Sequence, residues 1–342
     1  MEHSALQHEH APRPLPLFLE LVREVAADDP ELARNALKGL SIYAQSPRSI
    51  APQQRPEIAR VAGACLRDHG GDGPPVILVP SLINPPRILD LDEQVSLASA
   101  VANMGRRCLL LDWGSAEARR DLSIADHVEQ LLVPLIDRVG APALIGYCLG
   151  GTMAVAAANL RAVERLATLA SPWRFSLYPD AARTALQQLW TGASPASNAL
   201  GIFPMEVLQA SFWSLDPRRT VAKFAGLASL DPASPKAMRF AVLEDWANEG
   251  EPLPLPAARE LVEDFFGKDL PGTGQWRVGG RAVSDHLDTP TLHLTAARDR
   301  IAPASSAPAG RQVELPAGHV GMVVGSARAR LHAELASFLA CR

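Results

Sequence analysis

The sequence predicts an α/β protein, a mostly parallel sheet flanked by helices, with a helical cap inserted before the last strands. Three observations predict it. Short β-branched and leucine runs alternate with segments of helical spacing, a rhythm that calls for βαβ crossovers. The run "ALIGYCLGGTMAVAAA" (143–158) passes from an apolar strand through a cramped glycine turn into a helix, with a cysteine at the apex. Residues 172–290 then break the rhythm. They are rich in proline and hold 13 of the 18 aromatic residues, whereas the rest of the chain has an aliphatic core.

Each element follows from its local pattern. Residues 1–60 read as a tail and helices. In the tail, His8, Glu9 and His10 are metal-ligating types, but a tail offers no second shell to fix ligands, so a solvated terminus is expected over its first fifteen or so residues. The segment "LFLELVREVAADDPELARNALKGLSIYAQ" gives amphipathic helices broken at Asp29-Pro30. The core spans 61–171 and 291–342. Its first strand is "PPVILVPSLI", after the turn "HGGDGPP". "DEQVSLASAVANMG" has helical spacing and a glycine stop. "RCLLLDWG" is a second buried strand. "DLSIADHVEQLLVPLIDRVG" is a helix with His127 on its face, taken as a helix-face histidine rather than a ligand. "ALIGYC" and "RLATLAS" are the third and fourth strands. The cap, 172–290, carries Trp173, Trp190, Phe212, Trp213, Trp246, Phe265 and Phe266, which stabilise the cap, line an acyl pocket, or do both. The core resumes with "TLHLTAARDRIAP" and "RQVELPAGHVGMVVG" and closes on the helix "SARARLHAELASFLA". There is no internal repeat.

Bulk properties narrow the function. The 342 residues are 47% apolar and 20% charged, enough for one α/β core with an insertion. A net charge of −4 is poorly suited to general nucleic-acid binding. Cys65, Cys108, Cys148 and Cys341 are scattered and form no CxxC pair, which argues against a disulfide framework and against structural zinc. The opening "MEHSALQHEH" lacks the basic and apolar regions of a signal peptide. No apolar run reaches the roughly 18 residues that span a bilayer. The expected compartment is the cytoplasm, with no transmembrane segment and no metal.

The chemistry centres on Cys148. Gly-x-nucleophile-x-Gly between a strand and a helix is a nucleophile elbow, the hallmark of the α/β-hydrolase fold. Gly146 and Gly150 flank Cys148 and allow close backbone approach. The helix N-terminus favours the thiolate. The Leu149 N–H is aimed at the developing oxyanion, and a second donor is expected after the first core strand, at Leu82 and Ile83. An elbow also predicts its partners in chain order, an acid and then a histidine, each after a later strand. Asp299 follows "TLHLTAAR" and His319 follows "RQVEL". A buried structural cysteine accounts for neither. Asp285 and Asp288 are rival acids, but they precede the strand. A dinucleotide-binding reading fails, because the glycines follow a third strand and lack the GxGxxG spacing.

With these residues in hand, the chain resembles the polyhydroxyalkanoate synthases, most closely the class III catalytic subunit. The carrying segments are "LINPPRILDLDEQVSLASAVANMG", "LLLDWG", "GYCLGGT", "FWSLDP", "RDRIAP" and "GHVGMVVG". Dienelactone hydrolases carry a similar "GYCLGG", but their chains are much shorter and lack a large insertion before the acid. Here 151 positions separate Cys148 from Asp299. The resemblance implies an acyltransferase that polymerises (R)-3-hydroxyacyl-coenzyme A, with release of coenzyme A through a Cys-His-Asp triad. Coenzyme A enters as a thioester substrate and no cofactor is implied. It also implies a homodimer through the cap, a second synthase subunit, and a cytoplasmic location on polymer granules. Two departures stand out. Pro85 and Arg87 occupy positions where synthases often carry a basic or aromatic residue, and residues 180–200 resemble no synthase segment. The alternative is a cysteine-dependent hydrolase: a thioesterase, a dienelactone-hydrolase-like enzyme or a polymer depolymerase. An unreactive granule-coating protein is a third reading, disfavoured by the intact Cys148, Asp299 and His319.

Overall fold

Eight strands form one sheet in the computed structural model, which describes residues 10–47 and 55–340. They are β1 (Glu57–Val61), β2 (Ala64–Asp68), β3 (Pro75–Val79), β4 (Arg107–Asp112), β5 (Ala143–Tyr147), β6 (Leu166–Leu169), β7 (Thr291–Ala296) and β8 (Gln312–Leu315). Their order across the sheet is β1-β2-β4-β3-β5-β6-β7-β8. β2 is antiparallel to both neighbours, and every pair from β4 to β8 is parallel. The parallel strands therefore bring their C-terminal ends to one edge, where an α/β sheet places its ligand site.

The buried strands are those expected from their apolar runs. The β1–β2 hairpin is an addition. β1 is largely exposed, so it carries no apolar run to announce it, and it starts the core sheet at Glu57. The helix expected from Asp92 onward begins later, at Leu97. The Asp92 carboxylate accepts from the Gln94 and Val95 N–H groups, both at 2.8 Å, and makes a turn there instead. Ser96 then caps the helix, its Oγ accepting from the Ser99 N–H at 2.8 Å. The helix over 124–139 opens on a Ser123/Asp126 capping box, widens to a π-type turn over His127–Leu132 and stops at Gly140. The helix Leu149–Leu160 is buried throughout its first nine residues, which explains its apolar character all round.

The chain separates into two compact units, Met1–Ala51 with Met205–Gly250, and Pro52–Pro204 with Glu251–Arg342. The larger holds the sheet. Its insertion leaves after β6 and returns to the neighbouring strand, since Thr291 of β7 pairs with Leu166 of β6. It keeps the helix Asp180–Leu200 and a helix over 255–267, joined by a short bridge between Leu253–Pro254 and Ile202–Phe203.

The smaller unit packs the helices Leu15–Asp28 and Pro30–Ala44 with Met205–Ser214, Pro217–Leu227 and Pro235–Asn248. The break at Asp29-Pro30 is as expected, and the Asp29 carboxylate caps the second helix through the Leu32 N–H at 3.0 Å. Aromatic packing decides the grouping. Phe18 meets Phe224 at 4.6 Å and the edge of Trp213 at 6.1 Å, so the first helices share a core with residues 205–250. These boundaries differ from a separate tail and a single cap. The tail itself is docked from His10 onward. His10 Nδ1–H donates to the Asp245 carboxylate at 2.5 Å, the Tyr43 hydroxyl donates to the same oxygen at 2.8 Å, and the Arg13 N–H donates to Asn248 Oδ1 at 2.9 Å. His8, Glu9 and Cys341 lie outside the described residues; Cys65, Cys108 and Cys148 are free thiols. Among the described residues, no helix is long and apolar enough to cross a membrane.

Gly39 lets two helices of the smaller unit cross in backbone contact. A Cβ there would lie 1.9 Å from the Phe224 carbonyl oxygen, so the two backbones touch. Gly39→Ala is expected to cost about 1–3 kcal/mol by overpacking. Amide exchange should then speed up at least tenfold, by order of magnitude, over residues 30–44 and 217–227 and stay unchanged in β5.

Candidate active site

The elbow is enforced by contact. Cys148 sits between β5 and the following helix at φ 55° and ψ −131°, a conformation that costs a non-glycine residue about 1–3 kcal/mol. Its N–H donates to the Leu169 carbonyl at 2.9 Å, and its own carbonyl accepts from the Gly151 N–H at 2.9 Å. The glycines have no alternative. A Cβ on Gly146 would lie 2.4 Å from the Gly151 Cα; on Gly150, 2.2 Å from the Val79 carbonyl oxygen; on Gly151, 1.9 Å from Ser171 Oγ. β3, β5, β6 and the helix thus meet at the turn, and the thiol is left partly exposed.

Leu149 opens the helix, so its N–H is one of the terminal amides without an intrahelical acceptor. Leu82 and Ile83 lie on the loop after β3, both buried. The Ile83 N–H is turned toward Ser81 Oγ at 3.4 Å, a long contact. The loop is held by Trp113, whose indole N–H donates to the Pro80 carbonyl at 3.1 Å. This gives the "DWG" segment a physical role that sequence reading did not supply. Trp113 in turn packs edge-on against His127.

Asp299 and His319, the expected acid and base, follow the two strands after the insertion. Asp299 ends the β7 turn. Its Oδ1 accepts from the Ile301 and Ala302 N–H groups at 2.8 and 2.9 Å, and its Oδ2 accepts from His319 Nδ1–H at 2.7 Å. The acid and histidine loops are zipped together: the Ala297 N–H donates to the Leu315 carbonyl at 2.9 Å and the Arg298 N–H to the Ala317 carbonyl at 2.8 Å. Tyr147 supports His319 from the nucleophile side, with ring centroids 5.2 Å apart. The structure thus brings Cys148, His319 and Asp299 together. The rivals fall away. Asp285 is buried in an ion pair with Arg174 at 2.6 Å and also takes the Ala309 N–H, while Asp288 is exposed.

Electrostatics set the protonation of the histidine. Burial opposes a charge on His319, but the negative charges of Cys148 and Asp299, with hydrogen bonds to both, outweigh it and push its pKa up to about 10. With Nδ1 held by Asp299, the Nε2–H is the side that faces the sulfur. His127 shows the opposite case. It is fully buried, its Nδ1–H donates to the Ser123 carbonyl at 2.6 Å, and its Nε2 accepts from Arg119 at 3.0 Å. Burial drives its pKa down to about 4, so it is a neutral structural residue.

The chain is 26% identical over 297 residues to the poly(3-hydroxyalkanoate) polymerase subunit PhaC of Haloarcula marismortui, covering 81% of this chain and 62% of that protein. It is 27% identical over 276 residues to the subunit of the same name from Synechocystis, covering 73% of each. The chain is a homologue of these polymerase subunits. Its matched region thus spans under two thirds of the Haloarcula protein. No protein-family model matches this chain. The fold is that of the α/β hydrolases: the BpoC protein of Mycobacterium tuberculosis superposes with a TM-score of 0.50 at 16% identity, over 85% of this chain and 98% of that one.

The raised His319 pKa has a signed consequence. Relative to an unfolded histidine near 6.5, it contributes stability that is complete below about pH 6.5 and is lost as pH rises through about 10. In an imidazole NMR titration, His319 should hold its proton to about pH 10. Asp299→Ala should move that inflection down by one pH unit or more, on the order of the loss of one charged partner.

Proposed function

We propose that this homologue is an acyltransferase that joins (R)-3-hydroxyacyl groups from coenzyme A thioesters into polyhydroxyalkanoate. The observation that carries the reading is a cysteine, not a serine, at the strained apex, beside a histidine whose imidazolium form is favoured. A Cys148 thiolate attacks the thioester carbonyl. The oxyanion is received by the Leu149 N–H and by the loop amides at Leu82 and Ile83. The bond to coenzyme A breaks, and His319 protonates the departing thiol. One thioester has been exchanged for another, so the acyl group stays ready for transfer. His319, now neutral, takes the proton of a hydroxyl on a second acyl group or on the growing chain. That oxygen attacks the acyl-enzyme, and Cys148 leaves as the thiolate. Asp299 orients His319 throughout.

Transfer to an alcohol needs water kept away from the acyl-enzyme. Within the larger unit, Phe175, Tyr178, Phe265, Phe266 and Trp276 form one aromatic cluster, and Tyr178 reaches the acid loop. This supports a role for that part of the insertion in excluding solvent. The same reading carries a homodimer through the cap, a second synthase subunit and attachment to polymer granules.

Incubation with (R)-3-hydroxybutyryl-coenzyme A is expected to release coenzyme A and form oligomer or polymer. Cys148→Ala should abolish release, and His319→Gln should slow it by a factor on the order of a thousand. Free 3-hydroxybutyrate as sole product would replace the transferase with a hydrolase.

A further inference from the structure

Tyr178 is a buried residue on the segment after β6, and sequence reading assigned it nothing. Its hydroxyl donates to the Ile301 carbonyl at 2.8 Å. The N–H of that same Ile301 donates to Asp299 Oδ1. One residue therefore lies between Tyr178 and the acid of the triad. The tyrosine is itself tightly placed. Its ring stacks on Phe175 at 5.9 Å and 9°, and meets the edge of Phe266 at 4.9 Å. The turn that carries it is anchored by Asp269, whose carboxylate accepts from the Phe175 N–H at 2.8 Å and the Ser176 hydroxyl at 2.5 Å. Asp269 pays for this with a left-handed backbone, φ 52°.

We infer that Tyr178 is a positioning residue for the triad: its hydroxyl fixes the 299–302 loop and thereby the Asp299 to His319 hydrogen bond. The inference rests on reading Asp299 and His319 as a catalytic pair, and not on the identity of the acyl substrate. Two independent hydrogen bonds converge on Ile301, one from each side of its peptide units. Without the Tyr178 bond, the loop keeps the Asp299 bonds to its own Ile301 and Ala302 amides and, toward the histidine loop, the Ala297 and Arg298 backbone bonds and the Arg298 side chain on the Pro316 carbonyl; the Ile301 carbonyl loses its tyrosine donor, and the carboxylate is freer to turn from the ring. The electrostatics agree with the placement, since the charges of Cys148 and Asp299 both act on the Tyr178 hydroxyl, whose pKa burial already raises.

The test needs no substrate. The groups that face His319 are Cys148 from the elbow, Asp299 from the β7 loop and Tyr147 from the end of β5. Arg298 and Arg300 flank the acid but are exposed. The full chain is titrated by NMR, with the His319 imidazole signal assigned by its loss in His319→Gln. Tyr178→Phe removes one oxygen and keeps the ring cluster. It is expected to lower the His319 inflection by about half to one pH unit and to slow alkylation of Cys148 by iodoacetamide several-fold. Phe266→Leu disturbs the cluster without touching the hydroxyl and should leave the inflection in place. In an Asp299→Asn background, Tyr178→Phe should add no further shift. An unchanged inflection in Tyr178→Phe, an equal shift in Phe266→Leu, or an additive shift in the Asp299→Asn background would overturn the inference. If the wild type failed to release coenzyme A while Tyr178→Phe still moved the inflection, the function would be wrong and the positioning role would stand.

Discussion

The site depends on a single backbone constraint, the left-handed turn at Cys148. A cysteine does not adopt φ 55° by preference. It is held there because the helix Leu149–Leu160 is buried and must start directly at the end of β5. The start is possible only where Gly146 and Gly150 let backbones meet without side chains and Gly151 leaves room for the Ser171 side chain. The conformational cost is offset by the packing of that helix, and the return is a thiol at the sheet edge beside terminal helix amides. Asp299 and His319 then need only follow later strands in the same parallel sheet to reach it. The sheet order delivers them, with β7 and β8 lying beyond β6 from the nucleophile strand.

Three histidines with little side-chain exposure show that partner, not burial, decides charge. His127 and His293 are buried, and burial lowers the pKa of each. His293 accepts from the Thr168 hydroxyl at Nδ1 and donates to the Ala309 carbonyl at Nε2, a set that suits a neutral ring. His127 faces an arginine. His319 alone of these three has a carboxylate, Asp299, and a thiol, Cys148, as partners, and its pKa moves up. The same side chain thus ties together a helix, bridges two strands, or is held charged between a carboxylate and a thiol.

Much of this was legible in the sequence, where the signal is local. β3 to β7 are short apolar runs with turn residues at their ends, and the elbow is a glycine pattern at fixed spacing. Once the elbow is found, Asp299 and His319 follow from chain order. Other features are not local. β1 is largely exposed and has no apolar run. The grouping of residues 205–250 with the N-terminal helices depends on Phe18 meeting Phe224, two rings about two hundred positions apart. Asp285 looked like a rival acid until Arg174 was seen to occupy it. Trp113 and Tyr178 each donate to a backbone carbonyl, a contact that no residue pattern encodes. Asp92 and Ser96 were readable as turn and cap residues, and their preference for backbone partners sets the later helix start.

The central claim is covalent: Cys148 carries the acyl group between coenzyme A and the acceptor hydroxyl. The most direct measurement is acid quenching of the protein within its first turnovers on (R)-3-hydroxybutyryl-coenzyme A, followed by mass spectrometry of the peptide that contains Cys148. The account predicts a hydroxybutyryl thioester on that cysteine, lengthening by further hydroxybutyryl groups with time. Turnover with an unmodified Cys148, or with the acyl group on another residue, would contradict it.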